Sequence, residues 1–144
     1  MKLKFLSYFA NIASETAKLS TAKKTQVGCV IVKDNRILSI GYNGMPSGWS
    51  NDCEHTIDTG TNVYYETKPE VLHAEANALM KLCKSTDSSQ GAVLFVTHYP
   101  CIECAKLIYQ AGICMVYYIN DYTASKGSGK DFLYKAGIGV CQVS

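Results

Sequence analysis

Apolar residues recur at helical spacing over 3–20, where Leu3, Leu6, Phe9, Ala10, Ala13, Ala17 and Leu19 share most of one face. This predicts an opening amphipathic helix that covers one side of a sheet. The pattern then changes period. Residues 27–33 are apolar and β-branched, Asp34-Asn35 is a turn pair, and 36–42 returns, which predicts a hairpin. Gly41-Tyr42-Asn43-Gly44-Met45-Pro46 follows as an irregular loop whose glycines let backbone approach a ligand. Residues 47–70 are polar and read as one long loop of the kind that carries function or mobility. Helical spacing resumes over 71–84, with Leu72, Ala76, Leu79, Met80 and Cys83 on one face. A short buried strand is expected at 91–97, a helix at 102–111 ended by Gly112, a strand at 113–119, a polar loop at 124–130, a short helix at 132–136 and a last strand at 138–143. No internal repeat, linker or low-complexity tract interrupts the order, so 1–144 reads as one α/β domain.

Bulk properties narrow the function classes. At 144 residues the chain suits a single sizeable core. It is 47% hydrophobic and 18% charged, which is a globular and not a disordered balance. A formal net charge of +2 gives no general basic footprint, so a small molecule is favoured over a polynucleotide partner. No apolar run reaches the length of a membrane span, and 1–9 lacks the apolar core and cleavage site of a signal peptide. Seven cysteines without a secretion signal then favour a reducing, cytoplasmic setting with free thiols and a metal site. Cys29, Cys83, Cys114 and Cys141 lie in apolar segments and are expected to be small buried hydrophobes.

The chemistry is concentrated between His73 and Cys104. His73-Ala74-Glu75 places one imidazole and one carboxylate two residues apart, and Pro100-Cys101-Ile102-Glu103-Cys104 adds two thiols. One His and two Cys are the three protein ligands of an open zinc site, and a carboxylate beside it can move protons. A Cys-x-x-Cys alone also fits a structural zinc knuckle or a redox pair. In a regular helix His73 and Glu75 would stand about 200° apart, so each must reach the ion from a different side. Both thiols at a helix N-terminus would be acidified before metal binds. Asn43 can donate to and accept from a sugar hydroxyl. Asp121-Tyr122 falls at a strand end, where α/β proteins collect site residues. Lys18, Lys23 and Lys24 read as a solvated cluster or as contacts to a nucleotide phosphate, and the 124–130 loop could bring Lys126 or Lys130 to the same group. Gly127-Ser128-Gly129-Lys130 is not a P-loop, because the first Gly and the final Ser/Thr are missing. Cys53 and His55 alone are a weak signal for a second metal.

H-A-E with P-C-x-x-C is the mark of the zinc nucleobase deaminases. The chain resembles, more narrowly, the deoxycytidylate (dCMP) deaminases, including those of phages. That narrower likeness rests on Gly41–Pro46, similar to the family's G-Y-N-G-x-P loop, and on Cys104-Ala105-Lys106-Leu107-Ile108-Tyr109-Gln110-Ala111-Gly112-Ile113, similar to C-A-K-x-I-x-Q-x-G-I. The resemblance implies a cytidine-deaminase-like α/β fold, a five-stranded mixed sheet flanked by helices on both faces. It implies zinc on His73, Cys101 and Cys104, proton transfer by Glu75, and substrate contacts from Asn43 and Tyr122. It further implies a homohexamer acting on dCMP, activated by dCTP and inhibited by dTTP near Tyr42 and Gly44, with Mg2+ accompanying the triphosphate. Some phage relatives hold a second zinc through a Glu two residues before the active-site His; Val71 stands there in this chain. Deaminases of other cytosine, guanine or adenine substrates, and a zinc-stabilised nucleotide-binding module without catalysis, are the competing readings.

Overall fold

The computed structural model describes residues 1–124 and 127–143; Lys126, named above as a phosphate contact, lies outside them. Helix α1 (Leu3–Ala17) is followed by strands β1 (Gly28–Lys33) and β2 (Arg36–Tyr42), then by β3 (Glu54–Asp58) and β4 (Val63–Thr67). Helix α2 (Ala74–Cys83), strand β5 (Val93–His98), helix α3 (Ile102–Gln110), strand β6 (Met115–Asn120), helix α4 (Lys130–Ala136) and strand β7 (Gly139–Gln142) complete the order. The main sheet is five-stranded and mixed, in the order β2-β1-β5-β6-β7. β1 is antiparallel to β2 and to β5, while β5, β6 and β7 run parallel.

Alternation along β1 builds two cores. Val30 and Val32 join Phe9, Ala10, Ala13 and Phe95 under α1. Cys29 and Ile31 join Ala74, Ala78, Leu82, Leu94, Ala105 and Leu133 under the other helices. A strand buried on both faces needs the near-continuous apolar run that 28–32 supplies. The β1–β2 connection is a tight turn with Asp34 and Asn35 both at positive φ, 53° and 58°. Asp and Asn tolerate that conformation, and it matches the twist of a hairpin.

Gly41 fixes how closely α2 sits on this sheet. A Cβ there would press on the Ala74 carbonyl and lie 2.5 Å from the Ala78 nitrogen. Ala74 is the residue between His73 and Glu75, so Gly41→Ala should do more than lower stability by about 1–3 kcal/mol. It should displace the first turn of α2. Thermal melts together with bound-zinc stoichiometry would show both effects; an unchanged variant would mean that α2 is not seated by this contact.

Three expectations are corrected. The 47–70 stretch is not one loop, because β3 and β4 pair within it from Glu54↔Thr67 to Asp58↔Val63. β4 is exposed along its whole length, so no period-2 apolar pattern marks it; only the β-favouring Val63-Tyr64-Tyr65 could have. Secondly, Cys83, Cys114 and Cys141 are exposed and only Cys29 of the four is buried. Cys83 ends a helix, Cys114 precedes β6 and Cys141 lies on the edge strand, where one side has no neighbour. Thirdly, His73 is not in the first turn of a helix but caps it.

Candidate active site

α2 and α3 carry the site at matching places. His73 is the N-cap of α2 in extended conformation (φ −74°, ψ 155°), and Cys101 is the N-cap of α3 (φ −73°, ψ 169°). The extended cap resolves the 200° problem: His73 leaves the helical path, while Glu75, one residue into α2, turns inward. Cys104 follows in the first turn of α3, and its N–H points at the Cys101 sulfur, 3.5 Å away. Partial positive charge at both helix ends favours thiolate and carboxylate here.

His73 Nδ1 is 3.3 Å from Cys104 Sγ and 3.5 Å from Cys101 Sγ. The three donor atoms all lie within 4.8 Å of one another. A tetrahedral zinc with ordinary Zn–S and Zn–N bonds sets such donors about 3.6 Å apart, so the residues fit the ion. Among the described residues this is the one gathering of three or more such donors. The Glu75 carboxylate is outside it, and three donors leave a tetrahedral position open. Cys101 is drawn down to about 3, chiefly because the Cys104 thiol donates to it, while Cys104 is held up as the donor, with burial adding to the effect.

Glu75 is only 4% exposed. Burial raises its carboxyl to about 7, against the opposing pull of its own backbone N–H, of His73 and of the Cys104 side chain. A carboxyl poised there can take and return a proton near neutrality. In metal-stripped protein it also sets a pH dependence of stability. The folded state keeps the proton to about 7, whereas the unfolded chain releases it near 4.5. The favourable contribution is therefore complete below about 4.5 and is lost as pH rises through 7. Glu75→Gln is neutral throughout. After chelation its melting temperature should match the parent near pH 4.5 and exceed it at pH 8, by the equivalent of about 3 kcal/mol. A constant difference across that range would contradict the buried carboxyl.

Two of the three metal donors, His73 and Cys101, border a cavity of about 540 Å³, within the usual span of ~300–1,000 Å³ for ligand sites. His73, Glu75, Cys101, Asn43 and Tyr122 all line it. Asn43 is held from both sides: Oδ1 accepts from the Val27 N–H at 2.9 Å, and Nδ2 donates to the Thr25 carbonyl at 2.8 Å. One hydrogen and one lone pair of the amide remain for a ligand. Tyr122 meets the His98 ring edge-on, 5.8 Å between centroids. Tyr42 and Gly44 are not in the lining. Tyr42 is at the surface with Lys81 Nζ 5.9 Å from its ring centroid, and Gly44 pairs with Leu72 beside open space.

Of the lysines expected at a phosphate, Lys18, paired with Glu15, and Lys23 are not in the lining. Lys24 and Lys68 border the cavity, whereas Lys130 is paired with Asp121 at 3.0 Å and is not in the lining. Glu54 is 2% exposed; its Oε2 accepts from the N–H groups of Lys23 and Lys24, tying the base of β3 to that loop. Cys53 is buried beside Thr21 while His55 is exposed, so they do not gather as ligands. His98, at the C-terminal end of β5, also faces the cavity. Its one sequence signal was that strand-end position, where parallel sheets place ligands.

A helix–sheet–helix sandwich with an open His-Cys-Cys metal set and a buried carboxylate beside it defines a zinc-binding hydrolytic deaminase. Residues 3–120 match the family model for the cytidine and deoxycytidylate deaminase zinc-binding region, and the chain belongs to that family. It is 36% identical over 142 residues to ComE operon protein 2 of Bacillus subtilis, covering 99% of this chain and 72% of that one. It is 41% identical to human deoxycytidylate deaminase over 83% of this chain, and spans 66% of the human protein. The solved structure of the dCMP deaminase from cyanophage S-TIM5, in complex with dCMP and dUMP, superposes with a TM-score of 0.88 at 40% identity and covers 99% of both chains. Among the described residues no helix is long and apolar enough to cross a membrane.

Proposed function

We propose that this chain hydrolyses dCMP to dUMP and ammonia, with His73, Cys101 and Cys104 as zinc ligands and Glu75 as the proton carrier. One observation carries this reading: a buried carboxyl stands beside a three-donor metal set, and Glu75, His73 and Cys101 together line a nucleotide-sized cavity. Zinc held there supplies Lewis acidity and lowers the pKa of a coordinated water toward 7.

The chain's own groups do the rest. Glu75 takes a proton from the attacking water and gives it to pyrimidine N3. As the C4–N bond breaks it transfers the second proton to the departing amine. Water oxygen ends on C4 and the nitrogen leaves as ammonia, so the balance is dCMP plus water to dUMP plus ammonia. Asn43, anchored by Thr25 and Val27, offers its remaining donor and acceptor to the sugar hydroxyl. Tyr122 covers the substrate from the end of β6. Lys24 supplies positive charge at the cavity for the phosphate, and Lys68, 3.7 Å from Asp52, lines it as well.

Supply of dUMP to thymidylate synthesis, a homohexameric state, and control by dCTP and dTTP belong to the same reading. The first two follow from the family likeness, and the control would act near the Gly41–Pro46 loop, where Tyr42 is exposed and neither Tyr42 nor Gly44 lines the cavity. The discriminating experiment is ammonia release from dCMP, deoxycytidine and an RNA hairpin, with and without dCTP and Mg2+. Turnover confined to dCMP and raised by dCTP supports the whole reading. Turnover indifferent to dCTP removes the regulation, and preference for either other substrate removes dCMP.

A further inference from the structure

β5 delivers two side chains to one end of the cavity, and their hydrogen bonds assign a proton. Thr97 is 4% exposed, and its Oγ1 accepts from the Gly28 N–H at 3.1 Å. The same Oγ1 lies 2.9 Å from His98 Nδ1. A hydroxyl has one proton and two lone pairs, and Gly28 uses one lone pair. Among the described residues, His98 Nδ1 is the remaining partner of that oxygen. If Nδ1 carried the ring proton, the Thr97 hydroxyl hydrogen would be buried without an acceptor, at a cost of about 1–3 kcal/mol. Thr97 therefore donates to Nδ1, and the imidazole proton sits on Nε2.

The ring edge turned away from Thr97 is the one left for the cavity that His98 lines. Tyr122 packs against the ring at an interplanar angle of 84° and restricts its rotation. Nε2 has no hydrogen-bond partner among the described residues, and it is not sealed from solvent. Burial also lowers the His98 pKa below its ordinary value, which favours the neutral ring that accepts from Thr97. The result is a neutral N–H donor with a fixed tautomer on a residue that lines the cavity.

We propose that His98 is a substrate-binding residue whose Nε2–H donates to an acceptor oxygen of the bound nucleotide, a phosphate oxygen or the pyrimidine carbonyl, and that Thr97 is the positioning residue that fixes this tautomer. The proposal rests on reading the cavity as the dCMP site. Its test therefore needs a readout that does not depend on turnover. Imidazole ¹⁵N shifts of the zinc-loaded protein identify the tautomer directly. The parent and Thr97→Ser should show Nε2–H, and Thr97→Val, where it folds, a mixture. Added dCMP should shift the Nε2 resonance.

In kinetics, His98→Leu should raise KM for dCMP about tenfold or more while kcat stays within a few fold, and Thr97→Ser should match the parent. A loss of affinity in His98→Leu for dCMP but not for deoxycytidine, read by equilibrium titration, places the accepted hydrogen bond on phosphate. An equal penalty with both places it on the base. An Nδ1–H tautomer in the parent, an Nε2 resonance unmoved by saturating dCMP, or an unchanged KM for dCMP in His98→Leu would each overturn the proposal. If the parent binds dCMP without turning it over, the function reading fails, and the Nε2 shift on binding still decides this one.

Discussion

Glu75→Gln should bind zinc and dCMP as the parent does and lose at least about 10³-fold in turnover. The substitution is nearly isosteric at a buried position, so the first turn of α2 is preserved. Zinc content should not change, because the Glu75 carboxylate stands outside the His73, Cys101 and Cys104 donor set. Substrate affinity should change little, since the amide keeps the shape and one hydrogen-bonding oxygen. What vanishes is the exchangeable proton. A positioned acid or base contributes ~10²–10⁴-fold to a single transfer, and the reaction needs one group to serve the water, the ring nitrogen and the leaving amine. Loss confined to kcat, with KM within a few fold, is the signature of a role in the chemical step. Activity within tenfold of the parent would remove Glu75 from the mechanism.

Cys101→Ala should abolish stoichiometric zinc and lower the melting temperature of the zinc-loaded protein. Two losses combine. The sulfur is one of three metal donors, and it also accepts from the Cys104 N–H at the start of α3. Losing a cap of this kind costs about 1 kcal/mol. A ligand bound at a thousand times its dissociation constant contributes ~4 kcal/mol by mass action, and that linkage disappears with the metal. Secondary structure should persist below the lowered transition, because both apolar clusters are built on the sheet and its helices. Zinc measured per chain after dialysis against a weak chelator, alongside melting curves, checks both parts. Retention of one zinc per chain would refute the ligand assignment.

Much of this site was legible because its residues are close in sequence and chemically rare. His73, Glu75, Cys101 and Cys104 declare themselves by type and spacing, and the apolar runs of β1, β5 and β6 place them over a sheet. The Asp34-Asn35 turn was equally plain, since few residue pairs accept positive φ twice. The cap position of His73 was not legible, because a helical pattern does not say where the first helical residue falls. The β3–β4 hairpin hid for a different reason: with β4 exposed throughout, burial imposes no alternation on it. The exposed Cys83, Cys114 and Cys141 show the converse error, in which an apolar neighbourhood in sequence lies at the end or edge of an element in space. Glu54 and the Thr97–His98 pair needed the fold itself. Their partners are 30 or 31 residues away for Glu54, and 69 away for the Gly28 amide that claims Thr97.

If these elements form a zinc-dependent dCMP deaminase, ammonia release from dCMP depends on the metal. The protein should be assayed loaded with one equivalent of zinc, after chelation, and after zinc is restored. The expected result is conversion to dUMP with one ammonia per nucleotide in the loaded form, loss on chelation and recovery on reconstitution. Zinc-loaded protein that binds dCMP and releases no ammonia would contradict it.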